Sequence, residues 1–337
     1  MGRIAEAFRF AMRRSGSQTA DLWTLLVGRH SEFIGFLRDG RLKEADDYLV
    51  DMCSTPLTHG FQQGDVTADA LRTSEGSRRH VRTNDVDKLM ALAAALRVIP
   101  VQNPEQGDAS PWLRMPPDAI LDLIEDKAGV TIAAPAFQGG LWALETRRGL
   151  LSARDFMAFY VARRIHDLVA DLDARICEIG GGLGNLMFYL RTAGYRRLFL
   201  VDLPTIAAVQ AYFLAKNLGV DALALAGEQA TSAVTLACPA DFPQGRYDLV
   251  VNVDSFPEMA TAVAEDYLRT IRDSAHLFLS INQEALSART GREGDVQERV
   301  GDMAQRVGGF RLVSRAPYWM RLGYVEEVYE VIHSTGQ

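Results

Sequence analysis

EIGGGLGN, residues 178–185, decides how this chain is read. A short apolar run, RICEI at 175–179, leads into it, and a helical stretch, NLMFYLRTAG, leads out from Asn185. Glycines between a strand and a helix permit positive φ values and let backbone N–H groups approach a ligand with no Cβ in the way. Three loop types compete. A P-loop closes on Gly-Lys-Ser/Thr, whereas Asn185 and Leu186 follow here. The dinucleotide pattern G-x-G-x-x-G, started at Gly180, puts its third glycine on Leu183 or Asn185 and is out of step. The spacing that fits is E-x-G-x-G-x-G, on Glu178, Gly180, Gly182 and Gly184, with Gly181 between.

The setting supports a ligand loop. Beyond about residue 150 the runs RICEI, RLFLVD, AVTLAC, YDLVVNVD and HLFLSIN alternate with helical stretches, among them TIAAVQAYFLAKNLG and EMATAVAEDYLRTIRDSA. Continuous apolar runs are the mark of parallel strands buried on both faces, and strand–helix alternation implies right-handed crossovers in a doubly wound sheet. A further helix is expected in DVQERVGDMAQRVGG, then FRLVSRAPYWM and YVEEVYEVIHS follow as strands with no helix between them. The expected fold is therefore α/β, a doubly wound sheet ending in an antiparallel hairpin. Ser152 is expected to cap the helix before the first strand, with Asp155 as its partner three residues on.

Residues 1–145 read as a mostly helical region, and 146–337 as the sheet domain. Apolar periodicity marks DLWTLLVGRHSEFIGFLRDG through Leu22, Leu25, Leu26, Phe33, Phe36 and Leu37. Asn84 is expected to cap NDVDKLMALAAALRVI, and PPDAILDLIEDKAG has proline near its start and Gly129 past its end. QNPEQGDASPW, 102–112, is rich in turn formers and reads as a linker or lid.

Composition narrows the function classes. The formal charge of −7 on 337 residues argues against nucleic acid or an anionic membrane as partner. No stretch approaches the roughly 18 uninterrupted apolar residues of a membrane span. Cys53, Cys177 and Cys238 are scattered, with no disulfide framework and no zinc-ligand spacing. A cytoplasmic protein without a metal centre is the expectation. Cys177 falls in a strand and reads as packing. The histidines show no H-E-x-x-H spacing, and of them His30, His59 and His80 are placed to reach a site from the helical region. Arg78, Arg79 and Arg82 form either an anion patch or a solvated surface.

In a doubly wound sheet, ligands gather at the carboxyl ends of the strands near the topological switch. Asp202 ends the second run and can take ribose hydroxyls or cap the next helix, with Leu203 beside it. Glu178 ends a buried strand, so its carboxylate needs a partner. The fourth run ends in NVDSFPEM and the fifth in INQE, aiming Asn252, Asp254, Ser255, Glu258, Asn282, Gln283 and Glu284 at the crevice.

Several of these stretches in order, EIGGGLGNL, VDLP, AVQAYFLAKNL, VNVDSFPEM, INQE and WMRLGYVEEVYEV, resemble the bacterial family of sugar O-methyltransferases. The resemblance covers about 176–332 and extends loosely upstream through GGLWALETRRGLLSARDFMAFY. It implies a class I, Rossmann-like methyltransferase fold that binds S-adenosyl-L-methionine (SAM). The cofactor motif would fall on Glu178, Gly180, Gly182, Gly184 and Asp202, with Gly181, Leu203 and Asn252 alongside. The SAM amino group is then the natural partner of Glu178. Methyl transfer from a sulfonium is an in-line displacement, so the protein must align the acceptor and take its proton where it is a weak nucleophile. A sugar hydroxyl is such an acceptor, and Asp254, Glu258 and Glu284 are the candidate bases. The helical first region would supply an acceptor pocket, a lid or a homodimer contact. Two other readings stand beside this one: methylation of a carboxylate, amine or phenol in a secondary-metabolite pathway, and a SAM-binding assembly protein without turnover.

Overall fold

A computed structural model of the chain describes residues 1–14, 26–101, 111–242, 245–284, 289–290 and 296–332. Its helices are α1 (Gly2–Arg14), α2 (Ser31–Asp39), α3 (Leu42–Val50), α4 (Gly64–Thr73), α5 (Glu75–Ala95), α6 (Pro117–Ala128), α7 (Ala153–Leu168), α8 (Asn185–Thr192), α9 (Pro204–Leu218), α10 (Thr261–Ser274) and α11 (Val300–Val307). Its strands are β1 (Leu144–Thr146), β2 (Gly149–Leu151), β3 (Arg175–Ile179), β4 (Arg197–Val201), β5 (Leu223–Ala224), β6 (Val234–Ala237), β7 (Tyr247–Val253), β8 (Ala275–Gln283), β9 (Arg289–Thr290), β10 (Val296–Gln297), β11 (Phe310–Pro317) and β12 (Tyr324–Val331).

Eight of these strands form one sheet in the order β11-β12-β8-β7-β3-β4-β6-β5. β3 pairs in parallel with both β4 and β7, so the strand order reverses beside the glycine loop. β12 is antiparallel to both β8 and β11 and closes the sheet as a hairpin. The doubly wound order and the C-terminal hairpin expected from the sequence are both present.

Successive side chains of a strand point to opposite faces, and here both faces are apolar. Ile176, Leu198, Leu200, Leu249, Val251, Leu279 and Ile281 pack on one face with α7, α8 and α9. Cys177, Ile179, Val201, Val250 and Phe278 pack on the other with α10 and α11. That double burial is why the strands read as unbroken apolar runs. Glu178 shares the first face with Ile176 and is the exception in it.

The N-terminal helices do not build a separate core. Ile4, Ala5, Phe8, Phe33, Leu37, Leu49, Leu89 and Leu92 belong to the same apolar cluster as that first sheet face. α1 lies along α9, where Arg3 donates to both Glu228 carboxylate oxygens at 2.9 and 2.7 Å. α6 ends on Gly129 in the left-handed conformation, as the proline–glycine pattern implied.

Three local expectations change. Asn84 lies inside α5 and is no cap: the helix begins ten residues earlier, where the Ser74 side chain accepts from Ser77 N, so Arg78, Arg79 and Arg82 sit on a helix. The periodic stretch at 21–40 is interrupted by a turn at Arg29 and His30: residues 26–28 are helical before it and Ser31–Asp39 form α2 after it, while Leu22 and Leu25 lie outside the described residues. β5 and the β1–β2 hairpin, too short for a period to register, were not foreseen. Of the linker read at 102–112, residues 102–110 lie outside those described. Among the described residues no helix is long and apolar enough to cross a membrane.

The entry to α7 matters for the site. Ser152 and Asp155 form a reciprocal capping box, with Ser152 N donating to Asp155 Oδ2 at 2.8 Å. Asp155 Oδ1 also accepts from Asn185 Nδ2 at 2.9 Å and Tyr189 OH at 3.3 Å, tying α7 to the first turn of α8. Removing this buried carboxylate strands several donors, each worth about 1 kcal/mol or more. Asp155→Ala is expected to lower stability by about 2–4 kcal/mol in urea unfolding; a loss below about 0.5 kcal/mol would show that the cap is dispensable.

Candidate active site

A cavity of ≈ 460 Å³ opens at the carboxyl ends of β3, β4 and β7. Glu178, Gly180, Gly181, Gly182, Asp202, Leu203, Asp254, Ser255 and Glu258 line it, so the structure gathers most of the sequence-derived candidates into one place. Gly184 stands at the N-cap position of α8, just behind the wall.

The loop is shaped by close approach. Gly180 has φ 71° and its α-carbon faces the Ser255 side chain, which leaves no room for a Cβ. At Gly181 a Cβ would meet Leu200 Cδ1 at 2.5 Å and Glu178 Oε2 at 2.6 Å. The first glycine thus lets β7's end reach the loop, and the second lets the loop fold over Glu178.

Two carboxyl groups sit under that loop. Glu178 is 4% exposed, and its Oε2 has no hydrogen-bond partner. Burial pushes this carboxyl up to about 8, and the neighbouring Asp202 charge adds to the rise. Asp202 is half-buried and is raised to about 7, again through burial. It accepts from Leu203 N at 2.8 Å through Oδ1 and from Gln210 Nε2 at 2.7 Å through Oδ2. Gln210 also donates to Gly182 O at 2.9 Å, so one amide locks the glycine loop to the acid. The cap position of α9 is Leu203, with Pro204 following, so Asp202 does not cap that helix. A carboxylate has about four acceptor sites, which leaves Asp202 capacity on its cavity side.

The β7 end divides its labour. Asn252 is fully buried: its Nδ2 donates to Ile179 O at 2.9 Å and lies 2.5 Å from Ser255 Oγ. Its Oδ1 receives Asn282 Nδ2 at 3.0 Å, so this amide ties β3, β7 and β8 together behind the cavity wall. Asp254 has φ 57°, a conformation few non-glycine residues adopt. Its carboxylate accepts from Arg321 Nη1 at 2.5 Å and Tyr324 OH at 2.6 Å, both from the C-terminal hairpin. Glu258 sits in a short 3₁₀ turn, Phe256–Glu258, and is half-buried. Glu284 is not brought to the cavity; it pairs with Arg315 Nη2 at 2.5 Å on the hairpin.

Several lining residues carried no sequence signal. Arg154, Met157 and Val161 come from one face of α7, and Tyr318 from the hairpin turn. Phe61 reaches over Gly182 from the N-terminal region, beside Gly60. Arg14 closes the far end and pairs with Asp241 at 2.8 Å. Of the histidines, His30 is buried and lowered to about 4 by desolvation, His59 lies 3.9 Å from Asp65, and His80 is an exposed residue of α5; none lines the cavity. Among the described residues no cluster of His, Cys, Asp and Glu could hold a metal ion.

No family model and no curated protein matches the chain. Solved structures similar to it include magnesium protoporphyrin IX methyltransferase from Synechocystis PCC 6803 with bound SAM, 16% identical over 54% of this chain and 80% of that one, with a TM-score of 0.39. The CcbJ methyltransferase from Streptomyces caelestis is 14% identical over 52% of this chain and 90% of that one, at 0.38. The mitomycin 7-O-methyltransferase is 17% identical over 53% and 55%, at 0.39.

The raised carboxyl of Glu178 has a consequence for stability. The folded protein keeps this proton up to about 8, whereas the unfolded chain releases it near 4.5. The native state therefore binds more protons across that window, and stability is lost as pH rises through it. Glu178→Gln has no such proton to lose. The stability difference between variant and wild type is expected to shift in the variant's favour by more than about 1 kcal/mol between pH 5 and pH 9 in ligand-free urea titrations. Equal differences at both pH values would mean that Glu178 is not proton-linked to folding.

Proposed function

We propose that this chain is a SAM-dependent methyltransferase acting on a hydroxyl of a small, sugar-like acceptor. The observation that carries the reading is the buried, unpartnered Glu178 carboxyl under a glycine loop, one strand away from Asp202 with spare acceptor capacity. The first suits an ammonium group and the second a pair of ribose hydroxyls. Bound SAM would supply a methyl group already activated on a sulfonium.

On this reading Glu178 holds the amino end, Asp202 the ribose, and Gly180 to Gly184 let the backbone lie close to the cofactor. Leu203 positions Asp202 through its N–H, and Asn252 supports the site from behind rather than touching the ligand. The acceptor lies toward Asp254 and Glu258. Both oxygens of Asp254 are engaged by the hairpin, so it orients the acceptor hydroxyl while Glu258 takes the proton. The N-terminal region contributes a wall through Phe61, an acceptor-pocket role. Met157, Val161, Phe61 and Met259 make much of the lining apolar, which favours a phenol-bearing natural product as the second acceptor reading.

Calorimetry with S-adenosylhomocysteine tests the cofactor half. We expect binding with net proton release near pH 7, because an ammonium beside Glu178 drives off its proton. No binding of either SAM or S-adenosylhomocysteine would overturn the reading. Asp202→Ala should weaken binding about 10- to 100-fold, the worth of hydrogen bonds to a charged group. Glu258→Gln should cut turnover about 10²-fold or more with S-adenosylhomocysteine affinity unchanged. A phenol acceptor would separate itself from a sugar by tolerating that change as the assay pH approaches its own pKa of about 10.

A further inference from the structure

The cavity holds a second pair of unspent polar groups, away from Glu178 and Asp202. Arg154 is the second residue of α7, half-buried and lining the cavity. Among the described residues it has no carboxylate within ion-pair distance, whereas Arg14, the other lining arginine, is bound to Asp241. Neither of the acids packed around the start of α7 pairs with Arg154, although Asp85 Oδ2 is itself buried without a partner. Asp155 serves Ser152 and Asn185, and Asp85 accepts from Ala153 N at 2.8 Å.

Tyr318 faces the same space. It is 4% exposed, lines the cavity, and its hydroxyl has no hydrogen-bond partner. The ring packs edge-on against Tyr160 at 5.5 Å, but Tyr160's own hydroxyl is spent on Glu326 at 2.9 Å. The guanidinium of Arg154 is near enough to act electrostatically on the Tyr318 phenol. A guanidinium and a phenol both donate, and the buried Tyr318 hydroxyl without an acceptor costs free energy unless a ligand supplies one.

The cofactor's own charges have other matches. On the methyltransferase reading Glu178 would answer its ammonium, and the N–H groups of Gly182 and Leu183, which make no backbone hydrogen bond among the described residues, would be available to its carboxylate at the start of α8. Asp254, on the chemical side of the cavity, already has Arg321.

We propose that Arg154 and Tyr318 form an anion subsite, and that the acceptor is an acid: a hydroxylated small molecule carrying a carboxylate or phosphate. The proposal rests on the methyltransferase reading, since it assigns the second ligand of that site. Arg154 supplies a planar fork suited to a two-oxygen face, and the Tyr318 hydroxyl adds a third donor. Fixing the acid at α7 leaves the acceptor hydroxyl to reach Asp254 and Glu258.

The test titrates the full chain, saturated with S-adenosylhomocysteine, with D-glucuronate, D-glucose 6-phosphate and neutral D-glucose. At least one anionic probe should bind about tenfold tighter than glucose or better; which one does so tells carboxylate from phosphate. Arg154→Met should erase that preference, Arg154→Lys should restore part of it, and Tyr318→Phe should weaken it severalfold. Circular dichroism and thermal midpoints verify folding, and the lysine and phenylalanine variants carry the test if the methionine variant does not fold. Equal binding of all three probes, or binding of none, overturns the proposal. So does a loss of S-adenosylhomocysteine affinity in Arg154→Met with 5′-methylthioadenosine binding intact, which would assign Arg154 to the cofactor's carboxylate. Failure of the wild type to bind S-adenosylhomocysteine is a different result and strikes the methyltransferase reading itself.

Discussion

A single buried amide holds the three central strands in the arrangement that makes a crevice. Asn252 bonds forward to Ile179 O at the end of β3, sideways to Ser255, and receives Asn282 from β8. Parallel strands that part at a topological switch leave backbone carbonyls without a neighbour. Here a side chain satisfies them, so the strand ends can separate without exposing orphaned groups. Everything on the ligand side follows from that tie. Ser255 is placed against Gly180, Asp254 is turned into its unusual backbone conformation, and the 3₁₀ turn brings Glu258 to the rim.

The electrostatics of the cavity make sense as a site built in advance of its ligand. Burial raises both acids, Glu178 to about 8 and Asp202 to about 7. Burying them costs the unliganded fold. On the proposed reading a cation at Glu178 and a pair of hydroxyls at Asp202 would return that cost on binding. The hairpin plays the opposite part: Arg321 and Tyr324 each donate to Asp254, giving that end of the cavity a fixed geometry.

What the sequence shows depends on how far apart the cooperating residues lie. Strands buried on both faces announce themselves as apolar runs, so RICEI and YDLVVNVD are legible locally, and the glycines of 180–184 mark the turn between strand and helix. Ser152 with Asp155 is equally local, a cap and its partner within one turn. Asn84 stands where apolar periodicity begins, but the polar stretch before it is helical too, capped by Ser74. Glu284 is one residue past β8, none of whose residues lines the cavity, and only the position of Arg315 across the sheet shows that it pairs with the hairpin. Arg154, Tyr318 and Phe61 converge from three regions with no spacing rule to connect them, so they become visible only in the folded chain.

The docking of α1 has a consequence for how this protein is made. Arg3 reaches Glu228 across 225 residues, and Arg14 seals the cavity wall at Asp241. α1 must therefore wait, its apolar stripe of Ile4, Ala5, Phe8 and Ala11 uncovered, until α9 has been synthesised. During that interval the nascent chain presents a short basic amphipathic helix to its surroundings. A bulky group joined just ahead of α1 would burden this docking step.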